Sequence, residues 1–349
     1  MSEKYIPKAS YNFRNNTQNN QGYQSENVSD NTLENVSENV SENQSENAPQ
    51  EQSFEPIVSF DNAGLDDNLL RGIYSYGYEK PSFIQQKAIR PFLSGRDIIA
   101  QAQSGTGKTA TFSIGMLQLI NEKENNTQAL ILSHTRELSL QIMSVIENLS
   151  KYMNLSTNLS VGGTLSNTNI DEVLKNPQVI VGTPGRVLDM INKKALNTKY
   201  LKILILDEAD ELLSRHFSNQ IYDIFKFLPN KIQVGLFSAT MTQEFFTLSN
   251  NFMRDPVKLL IKNEELTLEG IKQFYINTEI EDYKFDALLD LYSIINASQA
   301  IIYCNTIRKV DWLSKNLQEK DFPIAHVHGQ MTQEERDDVV KDFRHGKKR

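Results

Sequence analysis

From Phe54 onward the chain alternates short, nearly continuous apolar runs with stretches in which apolar residues recur at helical spacing. The runs IIAQA (98–102), ALILS (129–133), VIVGT (179–183), LKILILD (201–207) and VGLFSAT (234–240) each end in small or polar residues. A strand that is apolar along its whole length is covered on both faces, which predicts a parallel sheet with helices on either side. The polar residues fall at the strands' C-terminal ends, where open α/β sheets bind their ligands. A second series begins near Ile271, with QAIIYCNT (299–306) and FPIAHVHG (322–329) predicted as strands and KVDWLSKNLQEK (309–320) and TQEERDDVVKDF (332–343) as helices. The expected fold class is therefore α/β: a first parallel-sheet domain over 54–262, a polar, acidic linker over 263–270, and a partial second domain over 271–349.

Residues 1–53 break this pattern. They are rich in Asn, Ser, Gln and Glu, poor in large aliphatics, and contain the repeat ENVSENVSENQSEN from Glu34 to Asn47. Such a segment has too little apolar surface to offset the entropy of ordering it, so it is expected to be a disordered tail without chemistry of its own.

Composition narrows the classes further. The chain has 349 residues, 39% of them hydrophobic, enough for two domains with a core each. No apolar run is long enough to span a membrane and the N-terminus lacks a secretory signal, so the expectation is a cytoplasmic protein. The single Cys304, beside Ile301, Ile302 and Tyr303, reads as a packed thiol, and five histidines assemble no metal cluster by spacing. A net charge of -8 argues against nucleic-acid binding only until it is located. The first 53 residues hold three basic and eight acidic groups, so the remainder carries only -3, leaving room for RNA contacts through amides, hydroxyls and a few arginines.

The candidate chemistry begins at AQSGTGKT, Ala102–Thr109, which follows the run DIIAQ and precedes the helical stretch ATFSIGMLQLI. Strand, glycine-rich loop and helix in that order form a phosphate cradle. Gly105 and Gly107 let the backbone of Thr106 and its neighbours turn amides toward phosphate, and the helix N-terminus at Ala110 adds favourable partial charge. Lys108 reaches the outer phosphates and Thr109 is placed to ligate Mg2+. LKILILDEAD, Leu201–Asp210, supplies the complement: Asp207 for the metal and Glu208 to orient, or take a proton from, an attacking water.

These segments carry a resemblance to the DEAD-box ATP-dependent RNA helicases, whose name is written here from Asp207 to Asp210, and further segments look like that family's other motifs in the family's order. GYEKPSFIQ (77–85) resembles its adenine-reading Q motif, which implies Gln85 on the base, Tyr78 stacked on it, Lys80 beside it, and Phe60 as the isolated upstream aromatic. Ser238 and Thr240 of SAT would couple hydrolysis to RNA. The resemblance implies sequence-independent RNA contacts from Thr135, Arg136 and Glu137, from Gly162 and Gly163, and from Thr183, Pro184, Gly185 and Arg186. In the second domain it implies the same for Asn305, Thr306, Arg308, Gly329, Gln333 and Arg336. Groups of this kind hold sugar and phosphate without reading bases.

The resemblance covers about residues 54–349 and implies two RecA-like domains, ATP and Mg2+ as ligands, RNA as partner and no membrane. The stretches LLRGIYSYGYEKPSFIQQKAI, ELTLEGIKQFYIN and RKVDWL look closest to the translation initiation factor 4A branch, which implies a translation initiation scaffold protein as a further partner. Two departures stand out. His134 and Ser139 replace the family's usual proline before TREL and alanine after it. The family also continues past a segment like FRHGKKR into motifs resembling ARG-x-D and HRIGR, whereas this sequence ends at Arg349. An arginine that reaches the transferred phosphate is worth roughly 10³ to 10⁵ in rate, so the alternative expectation is a catalytically impaired module that binds ATP or a partner.

Overall fold

Each apolar run of the first half becomes a strand. The computed structural model describes residues 54–162, 166–214, 216–260, 272, 274–278, 280–295 and 297–348. The predicted tail and the predicted linker over 263–270 lie outside them, as does Gly163. The chain divides between Leu268 and Glu269 into two compact units.

In the first unit, helices α1 (Asp67–Ser75) and α2 (Phe83–Leu93) precede strand β1 (Ile98–Gln101) and helix α3 (Lys108–Leu119). Next come β2 (Ala129–Leu132), α4 (Arg136–Leu149), β3 (Thr157–Ser160), α5 (Ser166–Val173), β4 (Val179–Gly182) and α6 (Pro184–Asn192). The unit continues with β5 (Ile203–Asp207), α7 (Ala209–Leu212), α8 (Ser218–Phe225), β6 (Gln233–Ser238), α9 (Gln243–Ser249) and β7 (Val257–Leu259). The strands pair in the order β3-β4-β2-β5-β6-β1-β7, every pairing parallel.

Alternate residues of the five inner strands feed two separate cores. Ile98, Ala100, Ala129, Ile131, Ile203 and Ile205 pack with residues of α1 to α4. Ile99, Leu130, Leu132, Leu204, Leu206 and Leu236 pack with residues of α6 to α8. This is the two-faced burial that the uniformly apolar runs predicted.

The helices follow from the same spacing. On α4, Ile142, Val145, Ile146 and Leu149 are buried at helical intervals, and the Thr135 hydroxyl accepts from the Leu138 amide to cap the first turn. Thr135→Ala is expected to cost about 1 kcal/mol, read as a lower midpoint of urea unfolding. Thr135→Ser, which keeps the cap oxygen, should restore most of it.

The second unit contains α10 (Tyr283–Ile294), α11 (Ile307–Gln318) and α12 (Gln333–Arg344). The last two lie within two residues of the stretches predicted as helices. The predicted strands QAIIYCNT and FPIAHVHG are not formed: 301–304 and 322–328 carry no strand among the described residues. A strand exists only through a hydrogen-bonded neighbour, and here Ile301 and Tyr303 remain 62% and 89% exposed. Cys304 is half-buried rather than sealed in a core. The histidines also differ from expectation, because folding gathers Asp311, His326 and His328 so that their donor atoms lie within 4.8 Å of one another. An ion pair at 3.3 Å from Asp311 to His328, and a hydrogen bond at 3.1 Å between Ser314 and His326, account for one nitrogen of each ring.

Candidate active site

All seven strands of the first unit run the same way, so their C-terminal ends share one edge. The loop after β1, the acids after β5 and the SAT segment after β6 are neighbours there, because the strand order sets β6 between β5 and β1. The loops after β2, β3 and β4, which hold the predicted RNA contacts, occupy the other half of that edge.

In the loop after β1, Gly105 and Gly107 have φ of 82° and 99°, the left-handed region in which a side chain is strained. Gly107 is the residue before α3, so the turn aims the first amides of the helix outward. The buried Lys108 donates to the Ala102 carbonyl at 2.5 Å, resting against its own loop. Thr109 and Ala110 follow in the first turn of α3. The start of the loop is tied to the end of β6, since Ala102 N donates to the Ser238 carbonyl at 3.0 Å.

Asp207 closes β5, 2% exposed, with one carboxylate oxygen accepting from the Glu208 amide at 3.1 Å. Burial pushes its pKa up to about 6, against the charge of Lys108, which pulls it down. Burial likewise lowers the pKa of Lys108, against the opposing pull of Asp207, Glu208 and Asp210. The lysine thus lies within electrostatic reach of all three acids. Glu208 itself sits at φ 50° at the start of α7, a left-handed conformation that is costly for a residue with a side chain and recurs at functional sites.

The SAT segment is wired to these acids. Ser238 donates to the Thr240 carbonyl at 2.6 Å, the Thr240 amide returns a bond to the Ser238 hydroxyl at 3.1 Å, and the Thr240 hydroxyl donates to Asp210. Asp210 is a residue that motif spacing left without a role; its partner across 30 positions comes from the adjacency of β5 and β6.

The expected base-recognising residues separate. Gln85, buried, accepts from the Ser82 amide at 2.8 Å and extends its side-chain nitrogen to the Gly107 carbonyl at 3.5 Å, bridging its own helix to the phosphate loop. An amide has two N–H donors and two acceptor lone pairs, so capacity remains for a base. Tyr78 is half-buried against Tyr76, while Lys80 is exposed. Phe60 is corrected: it is fully buried in the core, edge-on to Tyr74, and offers no face to a ligand.

Among the expected RNA contacts, Arg136 donates to the Gly162 carbonyl at 2.9 Å, joining the loops after β2 and β3. Glu137 is exposed in the first turn of α4. Thr183, Pro184, Gly185 and Arg186 form the start of α6, with Arg186 paired to Asp189 at 3.0 Å. Ser139 hydrogen-bonds Ser133 at 2.6 Å inside the fold, which explains a hydroxyl where alanine was expected. His134 brings Nδ1 to 3.1 Å from a carboxylate oxygen of Glu208.

In the second unit, Asn305 and Arg308 are exposed around the start of α11, which Thr306 caps. Arg336 donates to Gln333 at 2.7 Å in the first turn of α12, and Gly329 is exposed nearby in sequence.

Known proteins place the chain in a family. The DEAD/DEAH box helicase family matches residues 82–248, and the helicase conserved C-terminal domain matches 283–349. The ATP-dependent RNA helicase eIF4A of Chaetomium globosum is 54% identical over 295 residues, 84% of this chain and 74% of that protein. The ATP-dependent RNA helicase FAL1 of Mycosarcoma maydis is 53% identical over 292 residues, again 84% and 74%. Among solved structures, S. cerevisiae Dbp5 bound to RNA and ADP BeF3 has a TM-score of 0.77 at 34% identity, covering 84% of this chain and 74% of that one. A RecA-like sheet carrying a phosphate loop, an Asp-Glu-Ala-Asp strand end and a SAT element defines an ATP-driven motor on RNA. The chain belongs to the DEAD-box family of ATP-dependent RNA helicases, and its curated relatives above are of the eIF4A and FAL1 kind.

Proposed function

We propose that the chain opens short RNA duplexes in translation initiation, in the cytoplasm, in company with a scaffold protein, and that its parts divide as 54–262, 263–270 and 271–349. The carrying observation is the shared edge of the sheet, where Lys108, Asp207 and Glu208 converge beside the loops of Thr135, Arg136 and Thr183–Arg186. The eIF4A names of the relatives support the place in translation. The impaired-module alternative is not favoured, since both helicase families find their match in the chain.

In this reading Lys108 leaves the Ala102 carbonyl for the outer phosphates of ATP, and the amides around Gly105 and Gly107 hold the rest. Gln85 selects adenine. Glu208 takes a proton from the water that attacks the terminal phosphate, giving ADP and phosphate. The Thr109 hydroxyl and the Asp207 carboxylate would hold Mg2+; a buried carboxylate whose proton affinity is raised despite a nearby lysine is a donor suited to a divalent cation. When bound, that ion neutralises charge on the phosphates. The bond from Thr240 to Asp210 transmits the state of the site to the loop after β6.

Hydroxyls, amides and arginines on the RNA half of the edge hold a strand by its backbone, hence without sequence preference. No described helix is long and apolar enough to cross a membrane. The test is ATP turnover by residues 1–349 with and without single-stranded RNA, together with release of a labelled strand from a short RNA duplex. Stimulation by RNA but not DNA, with ATP-dependent strand release, is expected; turnover indifferent to RNA would overturn the proposal.

A further inference from the structure

The strand order brings together two residues that lie 74 positions apart in sequence. β2 pairs directly with β5, with Leu132 opposite Leu206, so the residues two steps beyond each partner emerge side by side at the edge of the sheet. Those residues are His134 and Glu208, and Nδ1 of the imidazole stands 3.1 Å from the Glu208 carboxylate. Nδ1 is buried and makes no hydrogen bond among the described residues, although the carboxylate stands at ion-pair distance. The Glu208 side chain is 40% exposed, the imidazole 22%. On its other side His134 is followed at once by Thr135 and Arg136, the loop read above as holding RNA.

We propose that His134 is a positioning residue for Glu208, tying the orientation of that carboxylate to the RNA-holding loop. The inference rests on the roles read above for Glu208 and for Thr135 and Arg136. Through Nδ1–H the ring donates to one carboxylate oxygen and leaves the other to accept the proton of the attacking water. A strand seated on Thr135 and Arg136 would fix the loop that begins at His134, and with it the donor that faces Glu208. His134 touches neither substrate nor water; it narrows the set of directions in which Glu208 points.

The effect belongs in kcat and not in ATP binding. A general base contributes roughly 10² to 10⁴ in rate, and a residue that only orients one is worth a fraction of that, about 5- to 20-fold. The experiment measures ATP turnover by the full chain as a function of ATP, with and without poly(U), for wild type, His134→Ala, His134→Pro and His134→Asn, with Glu208→Gln as control. His134→Ala and His134→Pro are expected to lose about 5- to 20-fold in RNA-stimulated kcat with KM for ATP within about two-fold of wild type. His134→Asn, whose side-chain nitrogen takes the place of Nδ1, is expected to restore most of the loss.

An unchanged kcat in His134→Ala and His134→Pro overturns the proposal. A loss accompanied by a proportional rise in KM, or a loss that asparagine does not restore, also overturns it. Loss in the Glu208→Gln control with no loss in the His134 variants removes the role of His134 alone. Full turnover in Glu208→Gln removes the reading of Glu208 and this inference with it.

Discussion

Glu208→Gln is expected to lower RNA-stimulated turnover by about 10²- to 10⁴-fold while ATP still binds, because the amide keeps the shape of the side chain and loses only its ability to take a proton. The backbone there tolerates the change: the left-handed conformation at φ 50° belongs to the chain's exit from β5, and glutamine meets it with the same bulk. Lys108→Ala should fail differently. Its ammonium is placed for the phosphates, so alanine is expected to weaken ATP binding and to cost at least about 10²- to 10³-fold in turnover. Equilibrium binding of a fluorescent ATP analogue beside steady-state turnover separates the two. A Glu208→Gln protein that turns over at the wild-type rate would remove the catalytic assignment.

Asp207→Asn is expected to abolish turnover and yet make the nucleotide-free protein more stable at neutral pH. Burial raises the Asp207 pKa from 3.8 to about 6, so the folded chain holds this proton more tightly than the unfolded chain does. Between those two values the unfolded form releases its proton first, and stability falls as pH rises through the window. Below it both forms are protonated and there is no penalty; above it the full penalty is present. A shift of this size corresponds to roughly 3 kcal/mol. Urea unfolding without nucleotide should show the variant more stable by up to that amount at pH 7.5, with the difference shrinking toward pH 4. A variant less stable than wild type at pH 7.5 would show that the carboxylate is not held at a cost.

The two-core sheet was legible because its strands are apolar on both faces, and the phosphate loop because its residues are contiguous. What could not be read lay in relations between distant segments. The contact of His134 with Glu208, and that of Thr240 with Asp210, depend on β2 and β6 flanking β5, an order that no local pattern encodes. Phe60 reads as a ligand contact only through the resemblance to the Q motif; in the fold it meets Tyr74 and the core instead. The segments at 301–304 and 322–328 have the composition of strands, but composition supplies no partner, and pairing is what makes a strand.

The bond from Gln85 to the Gly107 carbonyl ties the helix that carries the glutamine to the loop ahead of α3. A Cβ on Gly107 would lie 2.7 Å from the same glutamine nitrogen, so a side chain there would displace Gln85. If Gln85 selects adenine, an enzyme engineered to accept guanine through that position would also slacken its hold on the triphosphate, and its loss would show with ATP and GTP alike.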